Sequence, residues 1–241
     1  MKKIIFAVIA YSFCMQAASA QSKKNDWKQA AIERAGDHLM ISLTSDHWSG
    51  APDSISSRIR STSRGLAFAF MINKPFKTDP HWSVAVGVGI SNSSIFFRNT
   101  SIDITAKGAM LPFRNLDSID RFKKYKLATT FLEVPIELRY TLHPEKEGKN
   151  WKFALGAKLG TMLNAHTKGK TFKNKDGATI NAYTLKESRK AFFNTTRIAA
   201  TARIGIGNFS LTGSYQLTSF LKEGAGASIK PYQIGICISG L

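Results

Sequence analysis

Residues 82–91 alternate without a break. Trp82, Val84, Val86, Val88 and Ile90 share one face of an extended chain, and Ser83, Ala85, Gly87, Gly89 and Ser91 share the other. Period-two patterning marks a β-strand, because successive side chains point to opposite faces. The pattern recurs. Leu132, Val134, Ile136, Leu138 and Tyr140 oppose Glu133, Pro135, Glu137 and Arg139. Trp151, Phe153, Leu155, Ala157 and Leu159 oppose Lys152, Ala154, Gly156, Lys158 and Gly160. Ile198 to Ile206, Phe209 to Leu217 and Tyr232 to Ile238 follow, and Leu39–Leu43 and Leu66–Ile72 carry weaker versions. Eight strands are expected, an even number as in bacterial single-chain barrels.

The connections alternate in length. Asn73–His81, His143–Asn150 and Gly207-Asn208 are short, the last a two-residue hairpin signature. The stretches 45–63, 98–124, 165–192 and 221–228 are longer. Tight turns at one end and long loops at the other belong to outer-membrane barrels, with both termini on the periplasmic side. The expected fold is all-β: an eight-stranded antiparallel up-and-down transmembrane β-barrel over residues 37–241.

A soluble ligand-carrying periplasmic barrel also alternates, with its apolar face inside. Its outer face would be dense in Lys and Glu. Here the polar face is mostly Gly, Ala, Ser and Thr, which suits the cramped interior of a small barrel. Trp82, Tyr140, Trp151 and Phe209 also fall at the short-turn ends on the apolar face, where an interfacial girdle belongs. The lipid-facing reading is therefore preferred. Pairing across Gly207-Asn208 sets Ile206 against Phe209, Arg203 against Thr212 and Thr201 against Ser214. In the preceding hairpin, Tyr140 against Trp151 would set Glu133 against Lys158 as a lumen ion pair.

Residues 1–20 read as a signal peptide, with Lys2 and Lys3, an apolar stretch, and Ala18-Ser19-Ala20 as cleavage site. Residues 21–36 are polar and read as a periplasmic lead-in. Export removes nucleic acid from the partners that a net charge of +18 would otherwise suggest. Outer-membrane lipid, lipopolysaccharide phosphates and an envelope protein met by the outer loops remain. After cleavage Cys237 is the remaining cysteine, read as a lumen packing residue.

The runs Leu127–Tyr140 (LATTFLEVPIELRY) and Trp151–Leu163 (WKFALGAKLGTML) resemble the PorT-like outer-membrane β-barrel domain family. In that family a strand of the form L-E-(V/I/L)-P-(I/L)-x-L-(K/R)-Y precedes a Gly-rich strand, and Glu133, Pro135 and Arg139 match it. The resemblance spans 37–241. It implies the barrel fold, the outer membrane and, through the family's namesake, a link to protein secretion. The chain departs from common barrels in ending on Leu241 rather than an aromatic.

Candidate chemistry is sparse. His38, His47, His81, His143 and His166 show no metal-ligand spacing, and no nucleophile elbow or phosphate-binding loop is present. No cofactor, no metal and no catalytic residue is expected, and the chain reads as non-enzymatic. Ser42 and His38 share a strand face, and His47 and His166 fall near the outer loops, which leaves a lipid-modifying hydrolase as the alternative. Glu133, Glu137, Arg139, Lys152, Lys158, Arg197 and Arg203 are expected in the lumen, either as a polar plug or as a narrow anion path. Lys168, Lys170, Lys173 and Lys175 make the loop 165–192 basic and mark it for contact with lipopolysaccharide or another anionic surface.

Overall fold

The structure, a computed structural model, describes residues 38–143 and 150–239. The expected signal peptide and lead-in lie outside the described residues, as does Leu241. The elements are β1 (Leu39–Ser49), helix α1 (Asp53–Ser56), β2 (Arg64–Pro75), β3 (Trp82–Phe97), β4 (Thr100–Ile102), β5 (Phe113–Asn115), β6 (Arg121–Thr141), β7 (Trp151–Lys173), β8 (Thr179–Ser188), β9 (Thr196–Ile206), β10 (Phe209–Gln216) and β11 (Lys230–Ser239).

Eight of these form the wall: β1, β2, β3, β6, β7, β9, β10 and β11, each antiparallel to its neighbours, with β11 pairing back onto β1. Closure leaves the wall without an edge, which satisfies the backbone in lipid. The added strand β8 pairs with the outer part of β7, and β4–β5 is a small hairpin within the loop 98–120.

The Gly207-Asn208 turn gives the expected pairs, Ile206↔Phe209, Arg203↔Thr212 and Thr201↔Ser214. Gly207 sits at φ +60, the left-handed conformation that such tight hairpins need. The β6–β7 hairpin corrects the expectation. Tyr140 pairs with Phe153, and Glu133 with Gly160, because β6 runs on to Thr141 opposite Lys152. The shift is two residues, so parity and facing survive. Gly156 allows close strand contact there, since a Cβ would collide with the Ile136 carbonyl.

Outside the barrel, Phe70, Val88, Leu155, Phe209 and Ile236 are bare, while Ala85, Ala199 and Cys237 inside are fully buried. An apolar belt this continuous is a lipid surface, and the soluble-barrel alternative falls with it. Trp82 pairs with Tyr140, ring centroids 4.9 Å apart, within the lower girdle.

Toward the long-loop end the polarity inverts. In β3 the outward residues change from Val88 and Ile90 to Asn92 and Ser94, while the inward ones change from Gly89 and Ser91 to Ile95 and Phe97. In β6 they change from Leu132 to Thr130, Lys126 and Lys124 outside, with Phe131, Leu127 and Tyr125 buried inside. Above the bilayer the wall follows the rule for a barrel in water. Strands therefore run further than expected: β3 to Phe97, β6 from Arg121, β7 to Lys173. The expected loop 165–192 is largely the β7–β8 hairpin.

An apolar core closes the outer mouth. Trp48, Phe97, Phe193, Phe220, Leu221 and Ile229 are buried together, with Trp48 5.4 Å from Phe220 and Phe193 5.1 Å from Phe220. The Tyr125 hydroxyl donates to the Ile102 carbonyl at 2.7 Å and anchors the loop 98–120 over this core. Arg58 grips Asp117 with two hydrogen bonds of 3.1 and 2.7 Å at its outer side.

Candidate functional site

Inside the barrel, charge is arranged in tiers. At the lower tier Glu137 accepts from Arg139 Nε at 2.9 Å and from Arg203 Nη2 at 3.1 Å. Arg203 also donates to Ser210 and Ser239. Beside them lie Met40, Met71, Ala85 and Cys237, with the Met40 sulfur 3.5 Å from Arg139 Nη2 and Ala85 directly opposite Glu137. Cys237 is thus a packing residue of the lumen. At the middle tier Glu133 meets Arg197 at 2.9 Å and Lys158 at 4.0 Å. The register shift makes Lys158 a diagonal partner and Arg197 the near one. Arg197 donates to Gln233 at 3.2 Å, and Gln233 donates to Asp46 at 3.0 Å. Asp46 is fully buried and also accepts from Thr44 and Ser93, a tier that period-two reading did not flag. Lys152 is half-buried at the short-turn end of β7.

These side chains fill the lumen. Three cavities lined by lumen residues hold about 20 Å³ each. A water fits in such a space and a hydrated anion does not. With the apolar core above, side chains occupy the lumen along its height. A concavity of about 840 Å³ lies instead on the lipid face, lined by Phe70, Ile72, Val84, Val86 and the turn after β2. Its walls are apolar and belong to the acyl-chain surface.

The outer wall carries the chemistry. A bulge in β7 changes its phase: Phe131 pairs with Met162 while Thr130 pairs with Asn164, leaving Leu163 unpaired. Below it the even-numbered Lys152 and Lys158 face inward. Above it the even-numbered Asn164, His166, Lys168 and Lys170 face outward, while Ala165, Thr167 and Gly169 are buried. Without the extra residue Lys168 and Lys170 would point into the apolar plug.

Outward lysines then line up across three strands. Lys126 pairs with Lys168, and Lys168 with Lys186; Lys124 pairs with Lys170 in the next row. Lys126 Nζ donates to Ser94 at 3.1 Å and lies 5.5 Å from the Phe96 ring, which Arg64 approaches at 5.8 Å from β2. Burial, Lys168 and Arg64 lower the Lys126 pKa. Among the described residues, no carboxylate lies within ion-pair distance of Arg64, Lys124, Lys126, Lys168, Lys170 or Lys186. Of the four expected lysines, Lys168 and Lys170 belong to this ladder. Lys173 donates to the Gly177 carbonyl and closes the hairpin turn, and Lys175 is exposed at its tip.

Beneath the lysines runs a row of amides and hydroxyls. Asn92 donates to Thr130 at 3.0 Å, and Ser188 donates to Asn164 at 2.7 Å. His166 lies 3.4 Å from Asn164; burial, Lys186, Lys126 and Lys168 lower its pKa.

The expected serine–histidine candidates do not meet as named. His38 Nδ1 lies 3.0 Å from the Met71 carbonyl rather than near Ser42. His47 instead approaches Ser45 Oγ at 2.9 Å and stacks on Tyr232. Among the described residues no carboxylate orients that imidazole.

Residues 20–222 match the outer membrane protein beta-barrel domain family. The chain belongs to that family. Its place is the outer membrane, as the apolar belt requires. No curated protein matches it. Two solved structures of Ail, the attachment invasion locus protein of Yersinia pestis, are similar at 13% identity, covering 84% of this chain and 96% of that one. Their TM-scores are 0.32 and, for the complex with the heparin analogue sucrose octasulfate, 0.33.

Proposed function

We propose that this barrel is a non-enzymatic interaction protein of the envelope, which raises the sheet β6–β7–β8 above the bilayer and engages an anionic partner with its outward face. The in-register ladder Lys126–Lys168–Lys186 carries this reading. Like charges opposite one another on a sheet destabilise it, so a ladder of them suits a surface that meets anions. Lys168, Lys170, Lys173 and Lys175 then divide into a wall contact and a tip contact. The secretion or assembly role implied by the PorT-like resemblance would place an envelope protein on the same outer loops.

The test is retention of the detergent-solubilised chain on immobilised dextran sulfate. Retention should fall steeply as salt rises through the physiological range, as surface charge contacts do. Salt-independent retention, or none, would remove the reading.

The lipid-modifying hydrolase has one observation in its favour, the Ser45–His47 contact at the outer rim. A fluorophosphonate probe should leave Ser45 unlabelled if the barrel is non-enzymatic. Labelling that S45A abolishes would favour the hydrolase.

A further inference from the structure

Three surfaces are stacked on the outside of β3, β6, β7 and β8. Lowest is the apolar belt, ending in Ile90, Leu132 and the bulged Leu163, all well exposed. Next comes the row Asn92, Thr130, Asn164 and Ser188, whose amides and hydroxyls face away from the barrel axis. Highest are Arg64, Lys126, Lys168 and Lys186. Leu132 to Lys126 spans about 20 Å of strand, or about 15 Å of height at the usual barrel tilt.

A soluble polyanion has use for the top surface alone. The order acyl-compatible, sugar-compatible, phosphate-compatible matches one kind of molecule end to end. We infer that this wall is a binding site for a phosphorylated glycolipid of the outer leaflet, with its acyl chains on the belt, its sugar hydroxyls on the Asn92–Thr130–Asn164–Ser188 row and its phosphates on Arg64, Lys126, Lys168 and Lys186. This rests on the anionic-partner reading and names the partner.

Two features show a prepared site. The Phe96 ring and the Ser94 hydroxyl hold Lys126, and the same ring lies beside Arg64, so two cations are set before a ligand arrives. Adjacent strands stand about 4.8 Å apart, so Lys126, Lys168 and Lys186 span about 10 Å and can grip one phosphate or bridge two. The β7 bulge also brings Asn164 and Lys168 onto the same face as Thr130 and Lys126.

The experiment uses the mature chain in phosphatidylcholine nanodiscs doped with bisphosphoryl lipid A, with the dephosphorylated lipid in parallel, and counts lipid retained per protein by native mass spectrometry. The phosphorylated lipid should be enriched around the barrel and the dephosphorylated lipid should not. K126Q/K168Q/K186Q should cut the enrichment about a hundredfold, at the usual contribution of a lysine near an anionic lipid surface. K126R/K168R/K186R should keep most of it. A heat-modifiable gel band confirms that each variant folds. Equal enrichment of both lipids, or an unaffected triple glutamine variant, overturns the site. If dextran sulfate binds through the same lysines while lipid A is not enriched, the glycolipid assignment fails and the anionic-partner reading stands. If neither binds, both fail.

Discussion

At the scale of single residues, the lumen pairs and the outer lysines obey opposite rules. Glu137 lies between two arginines in a site closed to water. Neutralising it takes a carboxylate away from two buried guanidinium groups, which costs about 3–5 kcal/mol for a buried pair broken on one side. E137Q should lower the unfolding free energy by that amount, read by tryptophan fluorescence in urea with the barrel in lipid vesicles. A change under about 1 kcal/mol, the size of an exposed pair, would mean that water reaches this tier. His166 tests the outer wall differently. Burial and three ammonium groups hold its pKa below 6.5, so the folded state favours the neutral ring. Its contribution to stability is present above pH 6.5 and is lost as pH falls through the folded value. H166N should therefore lessen the drop in stability between pH 7 and acid, about which wild type would be more sensitive. In the nanodiscs, lipid A phosphates beside the ring should move its NMR titration upward. A downward or absent movement would place the phosphates elsewhere.

At the scale of the element, alternation marks a strand only while one rule of burial holds. Within the belt, Trp82 to Ser91 and Leu132 to Tyr140 obey it, and their faces were readable from sequence. Beyond Ser91 the inside turns apolar and the outside polar, so Ile95 and Phe97 break the expected phase without breaking the strand. The extra residue at Leu163 hid the rest. Strict parity groups Lys168 with Lys158, whereas the bulge sends them to opposite faces. Lys126 and Arg64 were not singled out for the same reason: nothing local shows that neighbouring strands bring them beside Lys168 and Lys186. The strands that carry Glu133, Glu137, Arg139, Arg197 and Arg203 keep one phase from the turns upward, whereas Arg197 as the near partner of Glu133 rests on the pairing of Gly160 with both. Deleting Leu163 should restore strict alternation. A cysteine at position 168 should react with a membrane-impermeant maleimide on intact cells, and the same cysteine in the deletion should not, while the gel band still shifts on heating. Equal labelling would mean that the upper strand rebuilds a bulge elsewhere.

At the scale of the whole molecule, the barrel is solid from floor to mouth. Sulfur and alanine side chains pack beside the lower arginine–glutamate tier, and the aromatic cluster forms the lid. In planar bilayers the reconstituted chain should show no steady ionic current. A current with anion preference would mean that the tiers part in lipid. The wall also closes in one particular way. β1 meets β11 through ten residue pairs from Met40↔Ser239 to Ser49↔Lys230, so the first strand finds its second neighbour only when the last has arrived. Up to that moment every shorter piece has two open edges, and no intermediate size is at home in the bilayer. Assembly is therefore a matter of timing: the chain waits until all its strands are present, and joining the farthest parts of a chain makes that wait long. A strong net positive charge, by keeping waiting copies apart, favours the wait over aggregation.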